Sequence, residues 1–218
     1  MNEWLIGIDE AGRGPVAGPV AVGVVLVPAD FDWGLLPGVN DSKQLSEKKR
    51  EEIFEAARQL KAAGQLCYAV AQVSASVIDK IGIVSAVNLG IKRGLARAER
   101  DLKSNVSINV NINTNITFDP SLNVKVLLDG GLKAPEQFVD QETIIKGDAK
   151  EPVIGLASII AKVTRDHYMT RVSREPAYTK YHFDIHKGYG TKAHREAIAK
   201  FDLSPQHRVG YCKNIKRL

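Results

Sequence analysis

Cysteine is scarce in this sequence: Cys67 and Cys212 are its only two, they lie far apart, and neither falls in a Cys-x-x-Cys or Cys/His spacing. A disulfide framework and a structural zinc site are thereby excluded, and two reduced thiols are expected. Also missing is any apolar run of membrane-spanning length, and Met1 leads almost at once into Trp4-Leu5-Ile6-Gly7-Ile8 without the charged start and long apolar stretch of a secretory leader. No membrane association and a cytoplasmic location are expected. The sequons Asn105-Val106-Ser107 and Asn115-Ile116-Thr117 are read as coincidence, because glycosylation needs a secretory route. A nucleotide-binding P-loop is absent too, since Gly12-Arg13-Gly14-Pro15 has neither the G-x-x-x-x-G-K-[ST] spacing nor a helix start behind it. Repeats and long linkers are lacking, so the 218 residues read as a single domain with its own core. Charge of one sign is only modestly in excess, 30 Lys and Arg against 25 Asp and Glu, for a net +5. Such a balance favours polyanionic partners, and it equally suits a solvated basic surface.

What is present reads as α/β. Residues 4–8 and 20–27 are short β-branched runs separated by Gly and Pro, the pattern of two buried strands joined by a turn. Ser46 is a helix N-cap for a segment to about Ala63, ended by Gly64. Leu66 to Val73 reads as a third strand, and Ser76 to Arg100 as a mostly helical stretch that Gly82, Gly90 and Gly94 weaken. Val124 to Leu128 is another strand, Pro152 opens an apolar helix through about Arg174, and Lys192 to Phe201 forms a last helix. A mixed sheet flanked by helices is expected, with a helical C-terminal part. Residues 105–118 alternate apolar and polar strictly enough for a strand or hairpin insertion, although their Asn density leaves a loop open.

The informative positions are acids that end buried strands. Ile8 runs straight into Asp9-Glu10 and then into Gly12-Arg13-Gly14; Leu128 runs into Asp129 and then Gly130-Gly131. Adjacent strand residues point to opposite faces, so Asp9 and Glu10 converge only if the backbone turns there, which Gly12 and Gly14 permit. A third acid, Asp166, interrupts the apolar helix together with Lys162 and Arg165. Read singly, each has a plain alternative: Asp9 caps a turn beside a solvated Glu10, Asp129 makes an Asx turn, and Asp166 pairs with Lys162 one turn earlier. Read together, four converging carboxylates would repel one another without a cation, and oxygen ligands of this kind suit Mg²⁺ or Mn²⁺. Two such ions can activate a water and stabilise a leaving oxygen in phosphodiester cleavage.

At these residues a resemblance enters. Asp9-Glu10-Ala11-Gly12-Arg13-Gly14-Pro15, Asp41-Ser42-Lys43, Leu128-Asp129-Gly130, Lys146-Gly147-Asp148-Ala149-Lys150, Ala157 to Asp166 and His186-Lys187-Gly188-Tyr189-Gly190-Thr191 resemble, in order, the motifs of bacterial type 2 ribonuclease H. The resemblance implies a ribonuclease H-like fold, with residues from about 176 to 218 as a substrate-contacting C-terminal part. It also implies a metal site of Asp9, Glu10, Asp129 and Asp166 that cuts the RNA strand of RNA–DNA hybrids and the 5′ side of single ribonucleotides in duplex DNA. The products would be a 3′-hydroxyl and a 5′-phosphate, the roles ribonucleotide removal from DNA and primer removal, and the active form a monomer. Gly12, Arg13 and Gly14 would read the 2′-hydroxyl, the group that separates RNA from DNA locally, and Tyr189 would stack on the following sugar. Lys43, Lys146, Lys162, Arg165 and Lys187 are expected to meet phosphates or neutralise the acids, with Arg208, Lys213, Lys216 and Arg217 extending the track. Ser158 and Thr164 are candidates to orient ligands. His167, His186, His194 and His207 lack metal spacing and are expected at the surface or facing the duplex.

The sequence departs from the family pattern at Gly82, where Asn is expected, and in Pro205 to Tyr211, which matches the family's C-terminal motif only in part. The type 3 enzymes, which carry an added N-terminal domain and a Lys in place of Arg13, are set aside because the chain begins at its first strand. A non-catalytic hybrid-binding module is the reading from another class, and retention of all four acids argues against it.

Overall fold

The computed structural model describes residues 4–39, 42, 44–105 and 123–215. The two β-branched runs become the middle of one sheet. Strand β1 (Trp4–Ala11) pairs antiparallel with β2 (Val20–Pro28) from Trp4↔Pro28 to Ala11↔Ala21, so residues 12–19 form their connection. Strand β3 (Cys67–Val73) adds antiparallel to β2; β4 (Val124–Asp129) lies parallel to β1, and β5 (Gln141–Ile144) parallel to β4. The order β3-β2-β1-β4-β5 is the mixed sheet expected.

Helix α1 (Glu47–Ala62) starts where Ser46 accepts a hydrogen bond from the Lys49 amide. The stretch expected as mostly helical is two helices, α2 (Ala75–Ile81) and α3 (Ile83–Asn105), because Gly82 between them takes a left-handed φ of +79°. Gly90 and Gly94 survive inside α3 for packing: a Cβ at either would come within 2.7 Å of Val22 or Val24. The four-residue helix α4 (Gly147–Lys150) precedes α5 (Pro152–Ser173), and α6 (Phe183–His186) and α7 (Lys192–Phe201) follow. β5, α4 and α6 escaped the sequence reading because four residues are too few for any periodicity to register. The insertion expected at 105–118 lies outside the described residues beyond Asn105.

Helix α3 covers one face of the sheet, packing Val87, Ile91 and Leu95 on Ile8, Val22 and Leu128. Helices α1 and α5 cover the other, where Ile154, Leu156 and Ile160 meet Val25, Val27 and Leu127. Each aliphatic side chain so removed from water contributes about 1.5–3 kcal/mol. Helix α5 sits unusually close, because it crosses bare backbone: a Cβ on Gly7 would lie 2.2 Å from the Val153 carbonyl oxygen, and one on Gly23 2.3 Å from that of Ala157. That approach sets the following turns of α5, with Ser158 and Lys162, against the end of β1. The helical C-terminal part packs Tyr181 and Phe183 on Ala17, Met169 and Val172.

Candidate active site

Strand register brings the acids together. In the parallel pair of β1 and β4 the last partners are Ile8 and Leu128, so Asp9 and Asp129 stand one residue on, at adjoining strand ends. Both share the face of Leu127, the face α5 covers. β1 continues to Ala11 past the end of this pairing, and there Asp9, Glu10, Gly12 and Arg13 open on a cavity of about 440 Å³. Its other walls include Ser42, Arg50, Asp129, Ser158, Lys162 and Tyr189.

Within this cavity Asp9 is 3% exposed. Burial, then the charges of Glu10 and Asp129, push its carboxyl well above the usual range, against a lowering hydrogen bond from Ser158. The Ser158 hydroxyl is in turn 2.8 Å from that of Ser42, whose carbonyl accepts from Arg50. Glu10 Oε1 accepts from Arg13 Nη1 at 3.1 Å, while its Oε2 is buried without a partner among the described residues. Asp129 Oδ1 accepts the Gly147 amide at 2.7 Å, and a Cβ at Gly147 would press on Ile154 at 2.7 Å, so glycine lets α4 reach the acid.

The fourth acid behaves differently. Asp166 is buried on α5, but Oδ1 accepts a 2.9 Å bond from Lys162 Nζ, and it is Lys162 that lines the cavity. The helical pairing open at the sequence level is therefore present. Three of the four expected carboxylates share the cavity, and the fourth reaches it through a lysine. Among the described residues no group of three His, Cys, Asp or Glu side chains is drawn together tightly enough to hold a metal ion. The donor set still fits a hard divalent cation: all-oxygen, with Asp9 raised by burial and then by its acidic neighbours, and with one buried Glu10 oxygen unpartnered among the described residues.

Gly12 and Arg13 of the Gly12-Arg13-Gly14 turn line the cavity. Gly12 takes φ +91°, and a Cβ there would lie 2.2 Å from Arg165 Nε, whereas Gly14 has open space around it. Tyr189, 44% exposed, lines the same cavity, its ring centroid 5.7 Å from Lys162 Nζ.

Two of the expected phosphate contacts, Arg165 and Arg208, are corrected. Arg165 is fully buried and donates to the carbonyls of Pro19 at 2.9 Å and Ala17 at 3.1 Å, so it holds the β1–β2 connection and has no exposed atom for a phosphate. Arg208 is likewise fully buried, not part of a basic surface track. Lys187 turns its ammonium onto Thr170 Oγ1 and the Asp184 carbonyl, at 2.9 and 2.7 Å. Lys146 is exposed in a left-handed conformation beside α4, and Lys213 is exposed near the chain end; Lys43, Lys216 and Arg217 lie outside the described residues. Thr164 faces another cavity, with Lys61 and Arg97.

Three histidines expected at the surface are core. His186, His194 and His207 are no more than 9% exposed, and the rings of His186 and His194 stack at 4.0 Å. The acceptors around them fix each tautomer. His194 Nδ1 donates to the Tyr189 carbonyl at 2.9 Å, so its Nε2 accepts from His207 Nε2 at 3.1 Å, and His207 Nδ1 accepts from Ser204. His186 Nε2 donates to the Tyr181 carbonyl at 2.6 Å, and its Nδ1 accepts the Gly188 amide. Sequence reasoning had no signal for this cluster, because these residues meet only through the turns between α6, α7 and the C-terminal segment. His167, by contrast, is exposed and pairs with Glu51. Both cysteines are buried free thiols, pushed up to about 11 by burial. No helix among the described residues is long and apolar enough to cross a membrane.

Comparison with known proteins follows the same lines. Residues 6–214 match the model of the family described as Ribonuclease HII. Ribonuclease HII of Endomicrobium trichonymphae is 42% identical over 205 residues, covering 94% of this chain and 83% of that protein. The Caldicellulosiruptor bescii ribonuclease HII is 39% identical over 221 residues, covering 100% and 92%. Among solved structures, ribonuclease H2 of Pyrococcus horikoshii OT3 superposes with a TM-score of 0.66 at 25% identity, over 98% of this chain and 97% of that one.

Proposed function

Since the chain belongs to the ribonuclease HII family, we propose that the cavity beside Asp9 is where it carries out its endonuclease reaction on the RNA strand of RNA–DNA hybrids. The observation that supports this site most is the meeting of Asp9, Glu10 and Asp129 with Lys162 beside a glycine turn, from strands more than 100 residues apart.

Asp9, Glu10 and Asp129 would hold divalent cations, Mg²⁺ or Mn²⁺, with Asp166 joining on release from Lys162. Such ions, as a pair, would supply an activated water and stabilise the leaving 3′-oxygen. The protein's own contribution is placement. Ser158 and Gly147 each fix one acid by a hydrogen bond, so the carboxylates are oriented before substrate arrives. Lys162, released from Asp166 or sharing it, places a positive charge where a phosphate would lie. The Gly12-Arg13-Gly14 backbone approaches a ribose closely enough to test for a 2′-hydroxyl, and the Tyr189 ring offers a face for the neighbouring sugar. Cleavage on the 5′ side of a single embedded ribonucleotide, leaving a 3′-hydroxyl and a 5′-phosphate, follows from that reading. Removal of ribonucleotides and primers from DNA, by a monomer in the cytoplasm, is the role we assign.

The test is direct. With Mg²⁺ or Mn²⁺ the protein is expected to nick a labelled duplex containing one ribonucleotide and to spare all-DNA duplex. Asp129→Asn should reduce nicking by about 10² or more while the protein stays folded. Uncut substrate under both ions, with folded wild-type protein, overturns the assignment in favour of a hybrid-binding module.

A further inference from the structure

The connection between β1 and β2 carries Gly12 and Arg13 of the cavity lining, and a buried arginine from the far end of the chain holds it. Arg208 is 0% exposed. Its guanidinium spends three donors on this segment: Nη2 to the Gly12 carbonyl at 2.6 Å, Nη1 to that of Arg13 at 2.9 Å, and Nε to that of Gly18 at 3.0 Å. Backbone bonds tie the same segments together, from the Arg208 amide to the Val16 carbonyl at 2.8 Å and from the Gly18 amide to Gln206 at 2.7 Å. Arg208 remains charged at neutral pH, although burial and then the neighbouring Arg165 lower it to about 10.

Peptide geometry turns this clamp into a statement about the cavity. In a trans peptide the C=O and the following N–H point in opposite directions. With the carbonyls of Gly12 and Arg13 both bonded to Arg208, the amides of Arg13 and Gly14 point away from it, and it is Gly12 and Arg13 that line the cavity while Arg208 does not. Neither amide has a carbonyl acceptor among the described residues. Two successive outward N–H groups, backed by a buried positive charge, form a small concave donor site for an oxygen. A planar guanidinium spreads its donors over three nitrogens and so reaches two successive carbonyls and a third at once, whereas a lysine ammonium carries its three donors on one nitrogen.

We propose that Arg208 is a positioning residue for ribose recognition, locking the Gly12–Arg13 and Arg13–Gly14 peptides so that their amides face the 2′-oxygen of the substrate. This rests on the functional reading given above. Arg208 itself touches no substrate; it acts through the backbone it holds, which separates it from a residue adding charge to a phosphate track. A phosphate contact would strengthen binding to any duplex equally, whereas a peptide lock strengthens binding only to a duplex that carries the 2′-hydroxyl.

The experiment compares binding of two matched duplexes, one all-DNA and one with a single ribonucleotide, by wild-type protein and Arg208→Gln. Wild type is expected to prefer the ribonucleotide duplex. Arg208→Gln should lose about tenfold of that preference, with all-DNA affinity changed less than about twofold, and Arg208→Ala should regain part of it with millimolar guanidinium. If Arg208→Gln does not fold, Arg208→Lys carries the test, with the same preference expected to fall. A folded variant that keeps its preference, or one that loses affinity for both duplexes alike, overturns the proposal. Wild-type protein showing no preference would instead sink the functional reading beneath it.

Discussion

His186, His194 and His207 are held neutral, each in one tautomer, and the cluster bonds directly to the backbone of Tyr189. Acid should therefore unfold this protein through a defined part of its structure. Burial lowers His194 and His207 from 6.5 to about 4, and His186 is lowered as well. The folded values lie below the unfolded ones, so the unfolded chain binds protons first as pH falls. The stability these imidazoles contribute is complete above about pH 6.5 and is lost between there and about pH 4, while Asp9, raised by its burial, works in the opposite direction. Between about pH 7.5 and about pH 5 each of the two imidazoles costs the folded state about 2 kcal/mol, or about 4 kcal/mol together. Against a total stability of about 5–15 kcal/mol this is large, and it corresponds to a fall in Tm of about 8–16 °C for a chain of this size. Thermal unfolding followed by circular dichroism at the two pH values measures the loss. His207→Gln should reduce it by about half, whatever its stability at neutral pH. The reasoning fails if Tm hardly moves, if the variant loses as much as wild type, or if NMR shows these imidazoles titrating near 6.5 in the folded protein.

Three further outcomes follow from the geometry. Asp9→Asn removes a carboxylate that burial, then the charges of Glu10 and Asp129, disfavour, so without divalent ions it should raise Tm by a few degrees and blunt the stabilisation expected from Mn²⁺ in wild type; an Asp9→Asn protein less stable than wild type in EDTA refutes this. Gly7→Ala should cost about 3 kcal/mol or more, because its Cβ meets α5 backbone at 2.2 Å, while Gly14→Ala should leave Tm within about a degree; urea melts yielding equal midpoints for the two would contradict the close crossing. Tyr189→Ala should impair cutting at an RNA–DNA junction about tenfold without lowering stability comparably, since the ring is largely outside the core; an unchanged junction preference removes Tyr189 from the site.

Much of this was fixed locally, and local order is what a sequence displays. The β-branched runs at 4–8 and 20–27, the Ser46 cap, the Pro152 start and the helix from Lys192 to Phe201 all appear where the pattern placed them. Their causes are steric and act within a few residues. Acids ending apolar strands beside glycines likewise marked Asp9, Glu10 and Asp129 before any fold was known. What only the tertiary structure decided concerns which groups face each other. Arg165, Arg208 and Lys187 look alike in sequence to any solvated cation, yet two are buried against the β1–β2 connection and the third is bonded to Thr170. Three histidines without metal spacing cluster in the interior, and Asp166 bonds Lys162. A charge is read from one residue, but its environment comes from segments as distant as Gly12 and Arg208, and burial together with partner geometry settles whether it binds, positions or supports.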